Sequence, residues 1–312
     1  MAMYGLMHAG LLRSKIFGEE LIVKGFERSQ ADPCEFRRKH LGKVVVIIVV
    51  YVDDLLVLSE TKQDKHKALE DLRSSFPIND LGEISYYLGC HITRYRKART
   101  VMFEQQRYAQ TVTERFKSRK ISAIPVPSGK APLSKADGPQ DDAEIGCGIP
   151  YREAVGVRIL GVPYGGVMED MKLSAWGDAD LASCPDTRRS VSGGAMMLGG
   201  WAISCFSRVQ RITATATSES EYVALAKIVN GLRFIRQVKA FMVPPIDYDI
   251  RVHEDNEGAI SMVEKRFSSR QTRHIDVKHH MVRDAVDGGI VRLEYVKSRE
   301  HHDVLTKAID AK

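Results

Sequence analysis

Two apolar runs rich in β-branched residues, Val44 to Tyr51 and Leu55 to Leu58, flank the pair Asp53-Asp54. The pattern predicts a strand, a tight turn carrying both acids, and a returning strand. Nearly every residue of both arms is apolar, so the hairpin is expected to be buried on both faces. The run is too short to cross a bilayer, and adjacent charges at its middle would be costly in lipid. An Asp-Asp pair is also ordinary turn chemistry. On a buried hairpin, however, two bare carboxylates are expensive unless a cation joins them.

The pattern changes on either side. Met1 to Phe36 has mixed helical character followed by a loop. Thr61 to Phe76 predicts a helix with Ala68, Leu69, Leu72 and Phe76 on one stripe. Ile84 to Ile92 and Val101 to Phe103 predict a second hairpin. Gln105 to Phe116 predicts a helix, with Tyr108, Val112 and Phe116 four residues apart. From Ser122 to Pro150 the apolar periodicity disappears, and Pro, Gly, Ser and Asp mark a linker.

A different texture begins at Leu173. Leu173 to Ala182 predicts a strand ending in the acids Asp178 and Asp180. Arg188 to Ser207 predicts an antiparallel pair broken by Gly turns. Thr217 opens a helix to about Phe241, with Leu225, Ile228, Val229, Leu232, Ile235 and Val238 forming one stripe. Pro244-Pro245 stops it. Asp249 to His253 predicts a strand followed by Glu254-Asp255-Asn256 and a short helix. Arg273 to Val286 predicts a helix closed by Gly288-Gly289. Ile290 to Val296 predicts a strand, and Asp303 opens a final helix.

Composition narrows the class. The chain has 312 residues, room for two ordinary domains, and 44% hydrophobic residues, enough for sizeable cores. The net charge of +6 permits nucleic-acid binding without establishing it. Charge is concentrated: residues 91–130 hold ten Lys and Arg against two Glu. Arg94, Arg96, Lys97 and Arg99 form its densest part. The bland reading is a solvated face; placed beside the acidic hairpin, the cluster reads as a phosphate-binding surface. The five cysteines have no CxxC spacing, so neither a disulfide framework nor a zinc ribbon is expected. They fit a reducing, intracellular compartment, with cytoplasm and nucleus both open. No signal peptide or membrane span is expected.

The order of acids carries the chemistry. Asp178 ends a strand, Glu221 sits at a helix start, Asp255 ends a strand, and Asp303 starts a helix. Four carboxylates at such positions can converge on one side of a mixed sheet and hold two Mg²⁺, with Mn²⁺ as substitute, since hard cations prefer oxygen ligands. Such metals activate water and stabilise the leaving oxygen at a phosphodiester. Each residue has a plainer alternative. Ser218 and Glu221 fit a capping box, with Glu219 the rival ligand, and Asp303 fits a helix N-cap. His274, His279, His280, His301 and His302 lack cysteine partners and regular spacing, which disfavours zinc.

Tyr51-Val52-Asp53-Asp54 and its apolar flanks resemble the YVDD box of reverse transcriptases. Leu81-Gly82-Glu83-Ile84-Ser85-Tyr86-Tyr87-Leu88-Gly89-Cys90 resembles the segment that follows it in copia-type LTR retrotransposons. Asp178-Ala-Asp180, Cys184 to Gly193, Ser218 to Ala224, Asp255-Asn256, Thr272 to Asp276 and Asp303 to Lys307 resemble the copia-type RNase H domain. The chain is thus similar to a copia-type Pol polyprotein fragment. The resemblance implies an α+β and α/β fold: a partial reverse-transcriptase palm and thumb over 1–121, a linker and shortened connection over 122–172, and an RNase H-like mixed-sheet domain over 173–312. It implies RNA-directed DNA synthesis through Asp53 and Asp54, and Mg²⁺-dependent cleavage of RNA in RNA–DNA hybrids through Asp178, Glu221, Asp255 and Asp303. The strand carrying the family's remaining polymerase carboxylate precedes the first residue, so synthesis by this chain alone is not expected. Implied partners are an RNA–DNA hybrid or other nucleic acid, and other Pol parts or a second subunit. The alternative from another class is a non-catalytic nucleic-acid-binding remnant.

Overall fold

The computed structural model describes residues 9–115, 162–165, 172–243, 249–264, 276–298 and 306. The chain divides into two compact units, 1–82 with 233–246, and 83–232 with 247–312.

The first unit begins with α1 (Ala9–Val23), followed by β1 (Glu27–Arg28), β2 (Glu35–His40), β3 (Lys43–Tyr51) and β4 (Asp54–Ser59). The strands form one antiparallel sheet in chain order. α2 (Lys62–Arg73) follows, capped by Thr61, whose hydroxyl accepts from the Asp64 backbone N–H at 3.1 Å. Leu21, Phe26, Phe36, Val46, Ile48, Ala68 and Leu72 make the core. Phe76, past the end of α2, packs its ring 4.8 Å from that of Phe17.

Two expectations change here. The β3–β4 hairpin forms, but it is not buried on both faces. Val46 and Ile48 are buried, Val44, Ile47 and Val49 are half-buried, and Leu58 is exposed. The core lines only part of an antiparallel sheet, and side chains alternate across it, so apolar content overstated the burial. β2 was not expected, since the pattern up to Phe36 reads as helix and loop. Its Phe36 reaches the core, while Arg37 bonds Glu27 at 2.8 Å and Arg38 pairs with Asp71.

The second unit holds two sheets. One is antiparallel, in the order β5 (Tyr86–Tyr87), β6 (Cys90–Tyr95), β7 (Thr100–Glu104), β8 (Val162–Gly165). The expected strand from Ile84 to Ile92 is broken at Leu88-Gly89, where both residues take left-handed φ values of 49° and 82°. A two-residue turn therefore joins β5 to β6. α3 (Gln106–Arg115) follows β7, and β8 pairs with β7 although the sequence around it gave no strand signal.

The other sheet contains β9 (Leu173–Asp180), β10 (Val191–Leu198), β11 (Trp201–Val209), β12 (Arg251–Glu254) and β13 (Arg292–Tyr295) in the order β11-β10-β9-β12-β13. β9, β10 and β11 are antiparallel; β12 runs parallel to β9, and β13 parallel to β12. The parallel pairs need crossovers. α4 (Thr217–Met242) lies in the first, and α5 (Glu257–Glu264) and α6 (Asp276–Asp287) lie in the second. Leu225, Ile228, Val229 and Leu232 of α4 are buried, as are Leu173 and Ala175 of β9 and Val252 of β12.

Helix and sheet meet so closely that glycine is required. A Cβ on Gly194 would lie 2.7 and 2.8 Å from Phe206 ring atoms and 3.0 Å from Ile228 Cδ1. Gly194→Ala is expected to destabilise the protein by about 1–3 kcal/mol through overpacking. Urea unfolding would read this as a lower midpoint with unchanged slope, and an unchanged midpoint would show that Phe206 yields freely.

Candidate functional site

The sheet's topology gathers the acids. β9 and β12 are neighbouring parallel strands, so their C-terminal ends share one edge of the sheet. Asp178 lies near the end of β9, and Asp255 directly follows β12. β11 runs in the same direction as β9, so it too ends at that edge, and α4 starts soon after it. Glu221 sits in the first turns of α4. Beyond β9 the chain builds first to one side, through β10 and β11, and then to the other, through β12 and β13. Open sheets place ligand sites at such a switch point.

Asp178, Glu221 and Asp255 each offer a carboxylate oxygen, all within 4.8 Å of one another. Among the described residues they form the only group of three or more potential metal ligands. Asp178 and Glu221 are buried, and Asp255 is half-buried. One oxygen of Glu221, Oε2, is buried without a hydrogen-bond partner. Burial, then the charges of Glu254, Asp178 and Asp255, push the Glu221 carboxyl up to about 10, against a bond from the Ala179 backbone N–H. All these donors are carboxylate oxygens, and an orphaned one stands among them. That set suits a hard divalent cation such as Mg²⁺ or Mn²⁺.

The neighbouring glutamates differ in their contacts. Glu219 is buried, and its Oε2 accepts from the Thr215 backbone N–H at 2.6 Å and the Thr215 hydroxyl at 2.8 Å. It therefore ties down the approach to α4, while Glu221 faces the other acids. A further carboxyl was missed from the sequence. Glu254 is fully buried, its Oε1 accepts from the Asn256 backbone N–H at 3.2 Å, and its Oε2 has no hydrogen-bond partner. Burial, followed by Asp255 and Asp178, raises its carboxyl to about 8. The signal was available: Ile250, Val252 and Glu254 alternate along β12, so Glu254 shares the buried face. Thr306 was also missed; its hydroxyl donates to Asp178 Oδ2.

Residues 1–129 match the family model described as reverse transcriptase (RNA-dependent DNA polymerase). Over 99% of its length the chain is 26% identical to the retrovirus-related Pol polyprotein from transposon TNT 1-94 of Nicotiana tabacum, covering 27% of that protein. It is 25% identical, again over 99% of its length, to the corresponding polyprotein from transposon RE1 of Arabidopsis thaliana, covering 24% of it. The chain is similar to retrovirus-related Pol polyproteins of transposons. It spans about a quarter of the length of these curated relatives. Parts of it are similar to solved structures of RNase H1. The protein from Halobacterium salinarum NRC-1 is 15% identical over 43% of this chain and 93% of its own, with a TM-score of 0.32. LC11-RNase H1, solved in complex with RNA/DNA hybrid, is 13% identical over 43% and 93%, with a TM-score of 0.33.

Among the described residues, the others named from the sequence are not part of that acidic group. Asp53 occupies the turn between β3 and β4, and Asp54 closes it opposite Tyr51; both are exposed. Among the described residues, no group of three or more ligand side chains includes them. Arg94 lies on β6, and Arg96, Lys97 and Arg99 occupy the exposed turn before β7. Arg96 bonds Glu83 at 2.6 Å, and Arg94 lies 3.9 Å from the same carboxylate. Asp303 lies outside the described residues, as do His274, His301 and His302, while His280 is exposed. No helix among the described residues is long and apolar enough to cross a membrane.

Proposed function

We propose that the second unit is a metal-dependent nuclease centre that cleaves the RNA strand of an RNA–DNA hybrid. The observation that carries this reading is the convergence of Asp178, Glu221 and Asp255 from three separate elements onto one edge of the sheet. Three buried or half-buried carboxylates repel one another, so their grouping has no value to the fold alone. Relation to Pol polyproteins supplies the substrate class. Asp178, Glu221 and Asp255 would hold Mg²⁺, or Mn²⁺ in its place. A divalent cation there would activate water and stabilise the leaving oxygen of the phosphodiester. Asp303 belongs to the proposal as a fourth ligand; it stands three positions before Thr306, whose hydroxyl bonds Asp178.

The first unit is read as part of a reverse-transcriptase palm, with Asp53 and Asp54 as its metal-binding turn. Hybrid cleavage, rather than DNA synthesis, is the activity assigned to the chain, because among the described residues a third ligand gathers only at the acidic group. A labelled hybrid incubated with the protein tests this directly. Cleavage is expected with Mg²⁺ and not with chelator, and Asp178→Asn should lower it at least ~100-fold, the scale of several kcal/mol of lost charge stabilisation. A parent as inactive as Asp178→Asn would leave the protein as a non-catalytic nucleic-acid binder.

The Arg94, Arg96, Lys97 and Arg99 turn is assigned to the phosphate backbone. Its side chains are exposed, and Glu83 neutralises part of their charge. Duplex affinity should fall with salt, and replacing the four by Ala should flatten the slope of log affinity against log salt by roughly 0.9 per lost contact. An identical slope in the variant would leave the turn as a solvated face.

A further inference from the structure

We infer that Thr306 is a positioning residue for Asp178, fixing its carboxylate in the orientation that meets Glu221 and Asp255. The inference rests on the reading of that group as a metal centre. The contact joins residues 128 positions apart, with the Thr306 hydroxyl donating to Asp178 Oδ2. Asp178 is only 4% exposed, so little water is available to take the place of that donor.

Electrostatics make such a donor useful. Asp178 stands among Glu221, Glu254 and Asp255, and like charges at these separations favour any rotation that moves a carboxylate away. A hydroxyl bonded to one oxygen of Asp178 opposes that rotation. Outer donors to metal-ligating carboxylates act in this way, and losing one typically costs 10–100-fold in metal affinity or activity.

Thr306→Val keeps the shape of the side chain and removes the donor; Thr306→Ser keeps the donor and removes the methyl group. Thr306→Ala is a second donor-less variant in case the valine fits badly, and urea unfolding in chelator checks that each chain is folded. Mn²⁺ titration of the full chain, read by electron paramagnetic resonance, is expected to give 10–100-fold weaker binding for Val and Ala, with Ser near the parent. A parent that binds Mn²⁺ and donor-less variants that bind it equally well would overturn this inference alone. Ser weakened as much as Val would overturn it too, because the hydroxyl would not be the cause. A parent that binds no Mn²⁺ would defeat the metal-centre reading, and this inference with it.

Discussion

In chelator, the stability of the second unit should fall steadily as pH rises from about 4.5 towards 10, the interval between the ordinary carboxyl value and that of Glu221. Glu254 is raised to about 8 and Glu221 to about 10, first by burial and then by neighbouring acids. A carboxyl whose value is raised on folding holds more protons in the folded state than in the unfolded chain. Its contribution is therefore complete below about 4.5, and it is lost as pH passes the folded value. For Glu254 the raised value corresponds to on the order of 5 kcal/mol. The two glutamates titrate as neighbours, so the loss belongs to the pair.

Divalent metal should reverse the trend. A cation that binds only the folded protein adds about 2.7 kcal/mol of stability at a hundred times its dissociation constant. It binds best to ionised carboxylates, so its effect should grow with pH. Urea midpoints measured at acidic, neutral and alkaline pH, with chelator and with Mg²⁺, would show two diverging curves. Glu254→Gln should flatten the chelator curve by removing one of the two ionisations. Parallel curves would mean that the acids do not share an ion.

The second large effect separates two glutamates. Glu221→Gln should lower hybrid cleavage at least ~100-fold, as expected where a ligand's charge is removed from a metal centre. In chelator it should leave the protein as stable as the parent or more so, since a buried carboxyl that resists ionisation is replaced by a neutral amide. Glu219→Gln should do the reverse. Its carboxylate holds Thr215 through two hydrogen bonds, and weakening these should cost about 1–3 kcal/mol. Cleavage per folded molecule should persist. Stability curves and single-turnover cleavage on both variants would decide the assignment, and exchanged phenotypes would move the ligand role to Glu219.

Much of this site was legible because its signals are local. Asp178 lies near the end of β9, and Asp255 directly follows β12. Glu221 stands at the start of a helix whose stripe was plain, with Leu225, Ile228, Val229 and Leu232 all buried. Contacts from outside the helix bear on these two glutamates: the Ala179 backbone N–H reaches Glu221, and Thr215 engages Glu219. Glu254 was passed over because glutamate usually signals a surface, although its place in the alternation of β12 marked the buried face. Thr306 could not be found locally, since its partner lies in β9.

The fold's misreadings have related causes. β2 is charged but pairs with an apolar neighbour, and pairing partners lie outside any local window. β8 is four residues joined to β7 across a long stretch of chain. The β3–β4 hairpin was judged buried from composition, yet burial depends on which elements cover each face.

Asp178, Glu221 and Asp255 are expected to hold a divalent cation together. Crystals soaked in Mn²⁺ and measured for anomalous scattering test it most directly. The account predicts a peak at this sheet edge, with at least one oxygen of each residue in its coordination sphere, at about the 2.1 Å expected for a small divalent ion. Full Mn²⁺ exposure with no peak there, and the three carboxylates unchanged, would contradict it.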